Sequence, residues 1–241
     1  MKKLTLGVIG GLGPIATAHF MELVIEMTDA HTDQEHLNMI IYNFPSIPDR
    51  TNYILDNTKQ NPLPDIVNIG KALSEQMADF IAIPCITAHY FGDALQSEIP
   101  VPVIHIVKET VAYLKEKGIK KVGIMATDGT VSAELFQNEL QKSSMEAIIP
   151  SRERQADVMS LIYDCVKAGN PVDMQKFNDV KEELQKNGAE TIILGCTELS
   201  LIKRDYPIGK GFIDAMEVLA LKSVVNCGGN IKEAYKNLIT Q

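Results

Sequence analysis

The 241-residue sequence has no cluster of lysine and arginine, no long apolar run, no low-complexity tract and only four cysteines. Without a basic stripe and with a net charge of −8, a nucleic-acid footprint is excluded. An anionic substrate must then be held by a few local cations. No stretch approaches the length of a membrane span. Four cysteines without dense spacing suit reduced thiols in the cytoplasm, not a disulfide framework. No zinc pattern joins them to His31 or His36, so no metal is expected. Met1-Lys2-Lys3 and the apolar residues after it imitate a secretory leader. Four glycines and Pro14 interrupt the run, and Glu22 and Glu26 follow, so no leader is expected.

What remains is an ordinary globular composition, 45% hydrophobic and 22% charged. Short apolar runs alternate with helical spacing. Strands are expected over 4–9, 39–44, 81–84, 101–104, 121–126, 147–149 and 191–194, with a last short one before residue 215. Helices are expected over 15–27, 63–77, 87–95, 107–117, 131–142, 155–167, 173–186 and 215–225, and a polar loop over 45–61. Such alternation implies parallel sheets covered on both faces.

The second half repeats the first. Gly7-Val8-Ile9-Gly10 corresponds to Gly123-Ile124-Met125-Ala126, Cys85 to Cys196, and His105 to Asp214, in one order and at nearly one offset. The fold class expected is α/β: two Rossmann-like three-layer domains with parallel sheets, related by a pseudo-twofold axis, with the active site in the cleft between them. Residues 1–104 with 214–241 would form the Cys85 domain, and residues 105–213 the Cys196 domain. Gly11-Leu12-Gly13 before a helix suits an anion. Ala16 in place of a third glycine, and no acidic ribose partner, count against a dinucleotide.

Each cysteine ends a strand and precedes a helix, where unpaired N–H groups favour thiolate. That effect, about 0.3–1 kcal/mol and up to about 2 when partly buried, would bring a thiol of ordinary pKa about 8.5 toward neutrality. A thiolate and a thiol in one cleft are what a two-base inversion requires: one sulfur takes a proton from a carbon acid while the other supplies one to the opposite face. Thr87 and Thr197 would hold the adjoining carboxylate. Thr130, in the turn matching the glycine loop, is a further candidate. Arg50, just past a strand end, and Lys167 are the candidate cations. His89 either tunes Cys85 or serves the fold, while Cys165 and Cys227 read as small core residues.

With Gly10-Gly11-Leu12-Gly13-Pro14, Pro84-Cys85-Ile86-Thr87-Ala88-His89, Ile162 to Gly169 and Gly195-Cys196-Thr197-Glu198, the chain resembles the cofactor-independent aspartate/glutamate racemase family. The resemblance implies racemisation of aspartate, glutamate or a close analogue without pyridoxal phosphate or metal, by a homodimer. It implies Cys85 and Cys196 as the proton-transfer pair, and substrate contacts from Leu12, Arg50, Ile86, Thr87, Ala88 and Lys167, those at 86 and 88 largely through backbone. Ile86 stands where the family usually has asparagine. That departure leaves open other superfamily chemistry, of the maleate isomerase, hydantoin racemase or malonate decarboxylase kind, and a non-catalytic dicarboxylate-binding protein.

Overall fold

The structure is a computed structural model describing residues 4–241, so Met1-Lys2-Lys3, the charged start of the leader-like stretch, lies outside it. The strands are β1 (Thr5–Gly10), β2 (Asn38–Asn43), β3 (Phe80–Ala82), β4 (Lys121–Ala126), β5 (Glu146–Ile148), β6 (Thr191–Gly195) and β7 (Phe212–Asp214). They form two parallel sheets, ordered β2-β1-β3 and β5-β4-β6-β7. Only a single bridge, Ile81 to Val103, represents the strand expected over 101–104. It occupies the edge that β7 fills in the second sheet.

The helices are α1 (Pro14–Met27), α2 (Arg50–Leu55), α3 (Leu63–Glu75), α4 (Gly92–Glu98), α5 (Ile106–Glu116), α6 (Asp128–Ser132), α7 (Leu135–Lys142), α8 (Arg152–Ser160), α9 (Met174–Lys186), α10 (Thr197–Asp205) and α11 (Ala215–Asn226). The duplication read from the sequence is physical. An added Cβ at Gly7 would meet Ile81, Ala78 and Leu73, and one at Gly123 would meet Ile192, Ala189 and Leu184. Each glycine lets the first strand of its sheet approach the cysteine-bearing strand and the preceding helix. His105 and Asp214 are both N-caps, of α5 and α11. One apolar core runs from Leu6 and Val8, through Val111 of α5 and Leu219 of α11, to Val122 and Ile193. The two sheets are thereby held against a common helical layer.

Four segments depart from their expected form. The loop over 45–61 contains α2, capped where Asp49 Oδ1 accepts the Asn52 N–H at 2.9 Å. The helix over 87–95 divides into a 3-10 turn, Ile86–Phe91, and α4. The helix over 131–142 is broken at Glu134, whose φ of 53° no α-helix accommodates. The helix over 155–167 begins at Arg152 and becomes π-helical over Leu161–Lys167.

The helix that follows Cys196 is tied down by polar groups. Ser200 Oγ donates to Asp214 Oδ1 at 2.7 Å, and Lys203 pairs with Glu217 at 2.5 Å, joining α10 to α11. Burial and the neighbouring Asp214 raise the Glu217 carboxyl to about 7, against the pull of Lys203. An unfolded chain releases that proton near the ordinary carboxyl value of 4.5, whereas the folded chain keeps it until about 7. Glu217 ionisation therefore costs stability as pH rises through that window. The melting temperature of Glu217→Gln, compared with the native chain, is expected to gain progressively between pH 4.5 and pH 7. Parallel melting curves at several pH values check this.

Candidate active site

Each cysteine stands at the carboxyl end of a buried strand, the edge where open parallel sheets place ligands. Cys85 has φ −159° and ψ 106° ahead of the 3-10 turn, and Cys196 has φ −146° and ψ 138° as the N-cap of α10. At Gly195 a side chain would press on Ala126 and Phe136, so the strand enters this turn without one. The two cysteines, 6% and 7% exposed, line a single narrow cavity of ≈ 10 Å³ with walls from both halves of the chain.

Of the other residues singled out in the sequence, Leu12, Arg50, Ile86, Thr87, Lys167 and Thr197 also line this cavity. The Ile86 side chain belongs to the apolar core between the sheets. Ala88 and Thr130 are not part of the wall. The Ala88 N–H already donates to the Cys85 carbonyl at 3.2 Å, because the turn after Cys85 is 3-10. Thr130, fully buried, stands behind Thr87: their hydroxyls lie 3.1 Å apart, and Thr127 joins both at 3.2 and 3.1 Å. This hydroxyl triangle fixes the Cys85 turn to the second half of the chain. His89 lies away from the cavity with its ring against His105, and burial pushes its pKa down to about 3.

The cavity carries balanced charge. Arg50, 7% exposed, opens α2 and donates to the Leu12 carbonyl at 2.9 Å and the Pro48 carbonyl at 3.1 Å, while its Nε has no partner. Burial alone would lower its pKa; contact with Cys85, then the charges of Asp49 and Glu198, outweigh that and raise it. The Lys167 ammonium lies 3.8 Å from Asp49, 3.9 Å from Glu198 and 4.2 Å above the Tyr163 ring. Burial opposes its charge, but Glu198 and Cys196 raise its pKa overall. Tyr163 donates to Asp49 at 3.3 Å, so the π-helical segment meets the loop ahead of α2 across the cavity mouth.

The thiols are unequal. Cys196 Sγ donates to Glu198 Oε2 at 2.8 Å, and Thr197 Oγ1 donates to the same oxygen at 3.3 Å. Burial, then the Glu198 charge, push the Cys196 thiol well above its ordinary value, with Lys167 pulling the other way. The expected acidification by the helix N-terminus is thus reversed at this cysteine. A carboxylate in hydrogen-bond contact outweighs the helix terminus.

Glu198, Asp49, Tyr163 and Thr127 also line the cavity, and none of them has a role assigned from the sequence. Two carried a signal there. Glu198 stands two residues after Cys196, and Tyr163 precedes Lys167 by one helical turn. An outer vestibule of ≈ 410 Å³, between the glycine loop and α10, adjoins the cavity and shares Leu12, Asp49, Arg50, Lys167 and Glu198 with it. The loop needs glycine at residue 11, where φ is 93° and an added Cβ would strike the Phe44 backbone. Among the described residues, no group of three His, Cys, Asp or Glu side chains is placed to hold a metal, and no helix is long and apolar enough to cross a membrane.

Comparison with known proteins follows the same outline. Residues 9–222 match the family model described as Asp/Glu/Hydantoin racemase. The chain is 27% identical over 225 residues to the broad specificity amino-acid racemase RacX of Bacillus subtilis (strain 168), covering 91% of this chain and 96% of that one. Superposition on the aspartate racemase of Picrophilus torridus gives a TM-score of 0.84 at 31% identity, over 97% of this chain and 98% of the other. Glutamate racemase from Francisella tularensis in complex with D-glutamate shares the fold, with a TM-score of 0.69 at 17% identity over 94% of this chain and 82% of the other.

Proposed function

Because the chain belongs to the Asp/Glu/Hydantoin racemase family and is an amino-acid racemase, we propose that it inverts aspartate, glutamate or a close analogue by moving protons between substrate Cα, Cys85 and Cys196. The observation that carries this reading is that equivalent turns of the two sheets bring both thiols to one cavity, with one proton held between Cys196 and Glu198. Cys196 is then the acid for one direction of turnover, and Cys85, beside the Arg50 guanidinium, is the base. The Cα–H bond breaks toward Cys85, its electron pair spreads into the substrate carboxylate, and the Cys196 proton is delivered to the opposite face. The N–H groups opening the turns after the two cysteines are the donors available to that carboxylate, and the Thr87 and Thr197 hydroxyls join them by turning away from Thr127 and Thr130 and from Glu198.

Once Cys196 has given up its proton, Lys167 offsets the charge left beside Glu198. The opposite enantiomer runs the same steps backwards. The orphaned Nε of Arg50 supports an acidic substrate, because a buried donor without a partner costs about 1–3 kcal/mol that a ligand oxygen would recover. The family likeness supports a homodimer working in the cytoplasm with no added cofactor.

The test is optical. Purified protein incubated with L- or D-aspartate and L- or D-glutamate, with nothing else added, is expected to bring the rotation to zero for at least one pair. Unchanged rotation for all four would leave dicarboxylate binding without turnover as the better reading.

A further inference from the structure

We propose a second binding site, for the ammonium and carboxylate of a free amino acid, in the groove that crosses the paired rings of His89 and His105. Two hollows, of ≈ 380 and ≈ 190 Å³, flank the pair and share His89, Gly92, Asp93, His105 and Lys108. Neither has a residue in common with the two-cysteine cavity. The larger opens beside Val103 at the edge of the first sheet, and the smaller runs toward α7 in the second half of the chain. His89 lies on the 3-10 turn that follows Cys85, so an occupant abuts that turn and spans both halves.

Hydrogen bonds fix both ring tautomers. His89 Nε2 lies 3.4 Å from the Ile83 carbonyl, which can only accept, so the proton is on Nε2 and Nδ1 is a buried acceptor with no partner. Burial, then His105 and Lys108, lower the pKa of this ring to about 3, so no proton fills that place at neutral pH. At His105, whose ring centre is 4.9 Å from that of His89, Nδ1 accepts the Lys108 N–H at 3.4 Å, and the proton is therefore on Nε2. Asp93 of α4 and Lys108 of α5 are exposed and form no ion pair among the described residues, whereas Glu109 is paired with Lys222 and Glu139 with Lys142. The groove thus offers two acceptors, His89 Nδ1 and the Asp93 carboxylate, and two donors, the His105 Nε2–H and the Lys108 ammonium. One small molecule with an ammonium and a carboxylate satisfies both sets. A simple anion or cation satisfies only one.

Glycine, the smallest such molecule, is the probe, titrated at neutral pH into protein labelled with ¹⁵N in its histidines. The His89 Nδ1 and His105 Nε2 resonances are expected to move along one saturating curve, while acetate and methylammonium, each half of the ligand, move them little. Lys108→Ala, an exposed change whose folding a melting curve confirms, is expected to weaken glycine about tenfold, the worth of one charge-assisted hydrogen bond. Resonances that stay still, acetate acting as strongly as glycine, or unaltered affinity in Lys108→Ala would each overturn the site. The readout needs no turnover, so its outcome is separate from that of the racemase reading.

Discussion

Replacing Cys196 with serine is expected to lower racemisation of either enantiomer by about 100- to 10,000-fold, the usual worth of a positioned acid or base. Cys85→Ser is expected to do the same. Serine keeps the size of the buried side chain and the extended N-cap geometry, so folding should survive in both variants. The loss comes from chemistry: a hydroxyl at an ordinary pKa neither accepts the Cα proton nor releases one readily. The two enantiomers are equal in free energy, so kcat/KM must fall by the same factor in both directions. Chiral chromatography of single-enantiomer reactions measures it.

Glu198→Gln is expected to cost about 10- to 100-fold in kcat/KM, the range of a charge-assisted hydrogen bond. Glu198 accepts from both Cys196 and Thr197 and is 4% exposed, so its carboxylate acts on the thiol through little solvent. It holds the Cys196 proton in place; without its charge the thiol pKa drops, because one of the two leading causes of the upward shift has gone. Alkylation of Cys196 by iodoacetamide near pH 8 should therefore become faster while turnover becomes slower. A purely structural role would not produce that opposite pair of changes, and a variant in which both rates fall together would contradict it. Glutamine preserves the volume, which keeps the comparison clean.

The strand-to-glycine-loop and strand-to-cysteine turns were legible because local signals coincide there. Apolar runs of strand length end at Gly10, Cys85, Ala126 and Cys196, and each end is a strand terminus or lies within three residues of one. Spacing between repeats then placed His105 and Asp214, which prove to be matching helix caps. What the sequence hid depends on packing. Helix α2 has only Tyr53, Ile54 and Leu55 as apolar residues and follows Pro45 and Pro48, so its periodicity is too short to read, although Asp49 is a good cap.

The π-helical segment has no separate sequence pattern. Its wider turn is visible only in the structure, where Leu161 and Ile162 are buried while Tyr163 and Lys167 reach the cavity. The upward shift of the Cys196 thiol is hidden in the sequence for a related reason. A helix-terminus argument uses only the local chain, whereas the Cys196 proton is governed by burial and by where the Glu198 side chain turns. Thr130 lies in the turn after β4, the counterpart of the opening glycine loop, with its hydroxyl 3.1 Å from that of Thr87 and outside the cavity wall, an arrangement that only packing reveals.

The two serine variants also give the most direct test of the two-thiol account, by Cα exchange in D₂O on each enantiomer separately. With one sulfur per face, Cys196→Ser should still exchange the enantiomer whose proton faces Cys85, and Cys85→Ser should exchange only the mirror image. Both variants exchanging the same enantiomer, or either one racemising at the native rate, would contradict proton transfer by these two cysteines.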